Sequence, residues 1–160
     1  MKEYYPVAFD LNDIPHFCIW FSNEYDGFIT EKGKIVQFIS IDHLFSYARS
    51  NNLTVTEDLT VISMKPILKW LEEMNDEIDY SYFLDFWNLV SDLANTLGEE
   101  FWGNKKTPRV NAIYDKLFFS NNLPSMAQEP FLPIWSPDEK KELSRVLTDG
   151  LRVIDFLFSI

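Results

Sequence analysis

The most regular pattern of apolar and polar positions in the chain lies between Asp79 and Gly98. Its apolar side chains recur at one- and three-residue steps that place them on one face of an α-helix; they are Phe83, Phe86, Trp87, Val90, Leu93, Ala94 and Leu97. Gly98 stands where a helix can end in a left-handed turn. We therefore predict a helix of about 20 residues, roughly 30 Å long, against which other elements must pack.

Helical spacing recurs in four further segments, and its local signal is strongest near the C-terminus. Ser136 suits a helix cap, Pro137 the first helical position, and Glu139 lies three residues after the cap. Glycine within a helix costs roughly 1 kcal/mol relative to alanine, so we expect close packing at Gly150. The other predicted helices are a short one capped by Asp42 that ends at residues 51–52, one from Pro66 to about Asn75, and one from Pro108 to residues 121–122.

The first third of the chain has the composition of a small antiparallel sheet. Residues 17–21 are rich in aromatic and β-branched side chains, and turn signals follow at residues 24–27 and 31–34. We predict a meander of two or three strands over residues 16–41, with residues 1–13 as a lead-in. The expected fold is α+β, a small antiparallel sheet packed against four or five helices in a single domain over residues 1–160.

Two further segments lack the spacing of a long helix. Residues 53–64 contain β-branched side chains around a polar centre and could form one bent strand or a strand, a turn and a second strand. As a compromise between these alternatives we predict a short strand at residues 53–55. Residues 121–135 contain three prolines, and they are predicted to form an extended, irregular segment. Because this segment is also apolar, we expect it to lie against the body of the protein.

Acidic residues are concentrated in the middle of the chain. Residues 55–100 carry eleven acidic side chains and two basic ones, a net charge of −9 in a chain whose net charge is −11. Nucleic acids and anionic membranes are bound by basic surfaces, so we expect neither as a direct partner. Such a segment can attract a basic protein partner, although acidic side chains also serve solubility alone.

The cellular compartment is inferred from the cysteine content and the hydropathy. The single cysteine, Cys18, cannot form an internal disulfide, which fits a reducing compartment. Residues 1–10 lack a charged-then-apolar leader, and no apolar run approaches the roughly 18 residues of a membrane span. We therefore expect a cytoplasmic protein.

Side chains that commonly carry catalysis or bind metals are sparse. His16 and Cys18 share a face of a predicted strand, but a third zinc ligand is not evident. A nucleophilic Cys18 would need a distant histidine, and its apolar flanks favour a buried thiol instead. The five glycines are scattered and form no phosphate-binding loop. We expect no catalytic residue, no metal, no cofactor and no enzymatic activity.

The segment over residues 72–82 combines acidic and aromatic side chains. Carboxylates steer a basic partner toward a surface, and tyrosines supply contact area. The alternative is an ordinary helix–loop–helix whose acids favour the N-terminus of the second helix. The candidate partner-binding residues are Glu72, Glu73, Asp76, Glu77, Asp79, Tyr80 and Tyr82.

The C-terminal third contains three short stretches followed by the capped helix that ends near Gly150: Tyr114-Asp115-Lys116-Leu117-Phe118, Asn121-Asn122-Leu123-Pro124 and Pro133-Ile134-Trp135-Ser136. This arrangement resembles the C-terminal half of small bacterial immunity proteins of contact-dependent growth inhibition and related polymorphic toxin systems. The resemblance implies a cytosolic, non-catalytic protein that binds the C-terminal domain of a cognate toxin, often a nuclease, and blocks it.

Binding surfaces differ between toxin–immunity pairs in this family, so the resemblance assigns no functional residues. Our first hypothesis is an immunity protein that neutralises a basic, nuclease-type toxin domain by stoichiometric occlusion. The alternative is an acidic cytosolic adaptor or regulatory protein with another protein partner.

Overall fold

The computed structural model describes residues 2–122 and 134–158, and most of the irregular segment predicted over residues 121–135 lies outside them. In chain order the elements are β1 (Glu3–Leu11), β2 (Ile14–Ser22), β3 (Asp26–Phe28), β4 (Thr30–Glu31), β5 (Lys34–Ile35), α1 (Ile41–Ser50), β6 (Thr60–Ser63), α2 (Lys65–Glu73), α3 (Tyr80–Leu97), a 3₁₀ turn (Trp102–Asn104), α4 (Pro108–Asn122) and α5 (Pro137–Phe158). The predicted α+β class is confirmed. The chain divides into two compact units.

The first unit comprises residues up to Lys65 together with residues 92–99. Its four-stranded sheet has the order β3-β2-β1-β6. Strands β1, β2 and β3 are antiparallel neighbours, whereas β6 runs parallel to β1. The sheet is therefore mixed rather than purely antiparallel, and the strand predicted at residues 53–55 is replaced by an isolated bridge at Val55 and by β6.

The prediction that residues 1–13 form a lead-in is wrong, because they contain the central strand β1. Asn12 and Asp13 both have positive φ, 53° and 66°, as a tight hairpin to β2 requires. On the side of β1 that faces β6, pairing is interrupted between the Tyr4–Val55 bridge and the first β6 pair at Val7. Pro6 lies in this interruption, where a residue without a backbone N–H is tolerated. Four consecutive buried residues, Pro6 to Phe9, hide the alternation expected of a strand exposed on one face.

The last part of the meander predicted over residues 16–41 also differs from the structure. Strand β5 ends at Ile35, and Phe38 makes only an isolated bridge to Phe17. Helix α1 then begins at Ile41, one residue before the predicted cap Asp42. The cap is Ser40, whose side chain accepts the His43 N–H at 3.1 Å.

The second unit comprises residues 66–91 and the residues from Glu100 onward. Helix α5 begins as predicted: the Ser136 hydroxyl accepts the Glu139 N–H at 3.1 Å, and the Glu139 carboxylate accepts the Ser136 N–H at 2.9 Å. Close packing at Gly150 is confirmed too, since a Cβ there would lie 2.7 Å from Cε1 of Phe86. The core of this unit includes Ile67, Trp70, Phe83, Phe86, Val110, Leu117, Leu143, Leu147 and Ile154.

Helix α3 is the long helix predicted from the apolar stripe. Six of the seven stripe residues are buried, from Phe83 to Ala94, and Gly98 ends the helix with φ +69°. The helix runs through both compact units, since they divide at residues 91 and 92. Whether the chain unfolds as the predicted single domain stays a prediction, which a single cooperative unfolding transition would support.

Candidate functional site

The predicted partner-binding residues lie at the end of α2, in the connection to α3 and in the first turn of α3. We call residues 72–79, which comprise the last two residues of α2 and that connection, the acidic loop. Its backbone is held by its own side chains. The Trp70 indole N–H donates to the Asn75 carbonyl at 3.1 Å, and the Asn75 side chain accepts the Glu77 N–H at 3.0 Å and donates to the Glu73 carboxylate at 2.9 Å. Met74 has φ +45°, which reverses the chain after α2. The acidic loop is thus a defined turn rather than an extended connection.

The carboxylates of the acidic loop are directed to solvent. Glu72, Glu73, Asp76, Glu77 and Asp79 are all exposed, whereas Ile78 is buried and anchors the loop. Within residues 2–122 and 134–158, no cluster of three or more His, Cys, Asp or Glu side chains could hold a metal ion.

Two more carboxylates of the acidic loop have structural partners, in addition to Glu73, which accepts the hydrogen bond from Asn75. The Asp79 side chain accepts the Tyr82 N–H at 3.1 Å at the start of α3, where a negative charge is favoured by the helix dipole. Asp76 forms an ion pair with Lys140 at 2.8 Å. The predicted set therefore contains both a helix cap and a paired charge, while Glu72 and Glu77 present their charges at exposed positions.

The two predicted tyrosines are only half-exposed. The Tyr80 ring stacks on Trp135, with ring centroids 6.5 Å apart and an interplanar angle of 20°. Burial raises the pKa of Tyr80 above its usual value. Trp135 is buried, and the Lys116 ammonium lies 4.9 Å from its ring centroid. Tyr80 consequently offers an edge rather than a whole ring to a partner.

The histidine and cysteine side chains weighed above lie apart from the acidic loop in sequence. Cys18 is fully buried on β2, and burial raises the pKa of its thiol to about 12. A thiol with that pKa is protonated at neutral pH and is a poor nucleophile. His16 lies 3.3 Å from the Gln37 side chain, and the His43 side chain is exposed on α1.

A cleft in the second unit was missed from the sequence. It lies where α3, the 3₁₀ turn and the start of α4 meet, and its volume is about 520 Å³. Its walls include Trp87, Asn88, Asn104, Lys105, Lys106 and Tyr114, and we call it the amide cleft. The only sequence signal was the polar run Asn104-Lys105-Lys106, which reads as an ordinary loop.

Comparisons with protein-family models, with curated proteins and with solved structures returned no match. In the two described ranges, the helices are all too short or too polar to traverse a lipid bilayer. A proposal about function therefore depends on the chemistry and geometry of the chain's own residues.

Proposed function

We propose that this chain is an immunity protein that binds and neutralises a cognate basic, nuclease-type toxin domain by stoichiometric occlusion. The observation that carries the proposal is the exposure of the acidic carboxylates on a turn that is held by internal hydrogen bonds. We place the protein in the cytoplasm, where the toxin domain would act, and assign it no catalysis and no cofactor.

The charge of the acidic loop supports a basic partner. Domains that act on nucleic acid carry basic surfaces, and complementary charges increase the rate of association and disfavour wrong partners. The acidic loop carries five acidic residues in eight positions and no basic one. Its carboxylates would pair with lysine and arginine side chains on the surface that the toxin uses for its substrate.

The rigidity of the turn supports binding without a large ordering cost. Association normally loses the conformational entropy of side chains and loops at the interface. The Trp70–Asn75 and Asn75–Glu77 hydrogen bonds already restrict this turn in the free protein. Binding the partner would therefore order mainly side chains rather than the backbone of this turn.

The exposure and hydrogen bonds of the candidate residues support different roles for them in the proposed interface. Glu72 and Glu77 are the primary contacts in the proposal, because they are exposed and, among the described residues, their carboxylates have no hydrogen-bond or ion-pair partner. Glu73 and Asp76 can contribute after rearranging their present partners, Asn75 and Lys140. Asp79 maintains the start of α3, while Tyr80 and Tyr82 supply contact area at the margin.

Co-expression tests the proposal directly. The partner is the C-terminal domain of the large toxin gene that would lie immediately upstream. We expect growth rescue by this chain and a purified complex of 1:1 stoichiometry, but no rescue from an unrelated toxin domain. A chain that forms no complex with the domain, or that rescues growth only by degrading the toxin's mRNA or protein, contradicts the proposal. Capture of a different basic regulatory protein would favour the adaptor function instead.

A further inference from the structure

The amide cleft is a concave site of small-molecule size. Its volume of about 520 Å³ lies in the range of ligand pockets, roughly 300–1,000 Å³. The floor is aromatic, because the buried Trp87 ring meets Tyr114 edge-on with centroids 5.2 Å apart. All the residues that form it belong to the second compact unit.

The walls of the amide cleft are held in place by hydrogen bonds. The Trp87 indole N–H donates to the Gly103 carbonyl at 3.2 Å, which fixes the 3₁₀ turn against α3. The Tyr114 hydroxyl donates to the Asn88 carboxamide oxygen at 2.9 Å, which links α4 to α3. Because the oxygen of Asn88 is engaged, the group that Asn88 can present to a ligand is its NH₂, a hydrogen-bond donor.

The charge of the amide cleft is opposite to that of the chain. Lys105 and Lys106 are adjacent in its wall, and Asp115 is the one acidic side chain among the described residues that line it. The Lys105 ammonium lies 4.6 Å from the ring centroid of Trp102, which is not among the residues that line the cleft, so Lys105 would have to turn from that ring to reach a ligand. Two lysines and one aspartate thus line the cleft beside amide side chains, in a protein whose net charge is −11.

We propose that the amide cleft binds a small phosphate-bearing ligand, with Lys105 and Lys106 on the phosphate and Asn88 as an additional donor. A phosphate dianion has several strong acceptor oxygens, and charge-assisted bonds from lysine suit it. The volume of the cleft, about 520 Å³, leaves room for an attached organic group beside Trp87 and Tyr114. This inference uses none of the acidic-loop residues and stands independently of the proposed toxin partner.

An NMR titration of the ¹⁵N-labelled full-length chain tests the proposal with inorganic phosphate and with adenosine monophosphate as probes. We expect saturable shifts of the Lys105 and Lys106 amides and of the Trp87 indole N–H, with a Kd of about 1 mM or tighter. Tighter binding of the nucleotide would identify a phosphate ester as the ligand class, and equal affinity would identify the free anion.

The variant K105Q/K106Q should weaken this binding by about tenfold or more, because it removes both charges while keeping polar hydrogen-bond donors on slightly shorter side chains. The matched control is K69Q/K141Q, which removes two exposed lysines that do not line the cleft. Both variants change the net charge equally. Shifts that stay linear up to about 20 mM of both probes, or equal weakening by the two variants, would overturn the proposal.

Discussion

Acidic side chains have opposite surroundings in the acidic loop and on α5. In the loop, Glu72 and Glu77 extend into solvent. On α5, Glu142 is 4% exposed and accepts the Trp102 indole N–H at 3.0 Å. Asp149 accepts the Trp102 backbone N–H at 2.6 Å and the Arg152 Nε–H at 2.7 Å.

This difference separates charge that stabilises the fold from charge that is available to a partner. Burial raises the pKa of Asp149, but the bonds from Arg152 and Trp102 outweigh it and lower that pKa below its usual value. The Asp149 carboxylate is therefore retained as an anion by the protein's own donors. A formal charge of −9 over residues 55–100 acquires functional meaning only where the carboxylates lack such internal donors.

The substitution Glu142→Ala should give the largest loss of stability among the acidic positions. It leaves the Trp102 indole N–H without its acceptor and removes the partner of Arg145, 3.7 Å away. The expected decrease in the free energy of unfolding is about 2–3 kcal/mol, measured by urea denaturation. Glu72→Ala is the matched control on the acidic loop and should change it by less than about 0.5 kcal/mol. Equal effects of the two substitutions would remove the distinction.

Asp79→Ala tests whether this acidic residue belongs with the structural group. It removes the acceptor of the Tyr82 N–H and the negative charge at the start of α3. We expect a loss of about 1 kcal/mol in the free energy of unfolding. Asp79→Ser, which can still cap the helix, should recover most of that loss. If Asp79→Ala leaves stability unchanged but weakens partner binding, Asp79 belongs with the available charges instead.

The capped helices show how much of this arrangement can be predicted from sequence. The Ser136-Pro137-Asp138-Glu139 motif and the apolar stripe of α3 are local patterns, and both gave the correct helices. Strand β1 was missed because four consecutive buried residues, which begin with Pro6, conceal the alternation of apolar and polar positions that is typical of a strand. Its position depends on pairing with β6, which begins about 50 residues later in the chain.

For the candidate site, too, local features could be predicted from the sequence and contacts between distant residues could not. Exposure of the acidic loop follows from its local composition, and an N-terminal role for some of its acids was recognised as an alternative. The Asp76–Lys140 pair joins residues far apart in sequence, and so does the stacking of Tyr80 on Trp135. The amide cleft depends on contacts such as Trp87–Gly103 and Asn88–Tyr114. No spacing rule in a single sequence reports such contacts.

Asp92 is intermediate between the exposed carboxylates of the acidic loop and the hydrogen-bonded carboxylates of α5. Its surroundings make the stability of the protein depend on pH. Burial, together with the nearby charge of Asp26, raises the pKa of its carboxyl to about 6, despite the bond that it accepts from the Trp20 indole N–H at 2.8 Å. The folded state therefore binds the proton of the Asp92 carboxyl more tightly than the unfolded chain does. This protonation contributes fully to the free energy of unfolding below about pH 4, and the contribution is lost as the pH rises through about 6.

The neutral variant Asp92→Asn should remove that pH dependence while preserving an acceptor for Trp20. After allowance for solvent screening of a half-exposed group, the stability of the wild type relative to Asp92→Asn should fall by about 0.5–1 kcal/mol between pH 4 and pH 7.5. Urea denaturation followed by tryptophan fluorescence measures it. Asp26→Asn is a control that should reproduce only a small part of the effect. A stability difference that rises with pH would mean that the carboxylate is stabilised rather than strained.

Charge reversal on the acidic loop should have the smallest effect on stability and a selective effect on binding. The variant E72K/E77K changes two exposed carboxylates, so the free energy of unfolding should shift by less than about 0.5 kcal/mol. Affinity for the co-expressed toxin domain should nevertheless fall by about tenfold or more and become less sensitive to salt, because the complementary charges are lost. The matched control E57K/D58K reverses two exposed acids outside the loop. If it weakens binding equally, the toxin responds to net charge alone, and the acidic loop is not its contact surface.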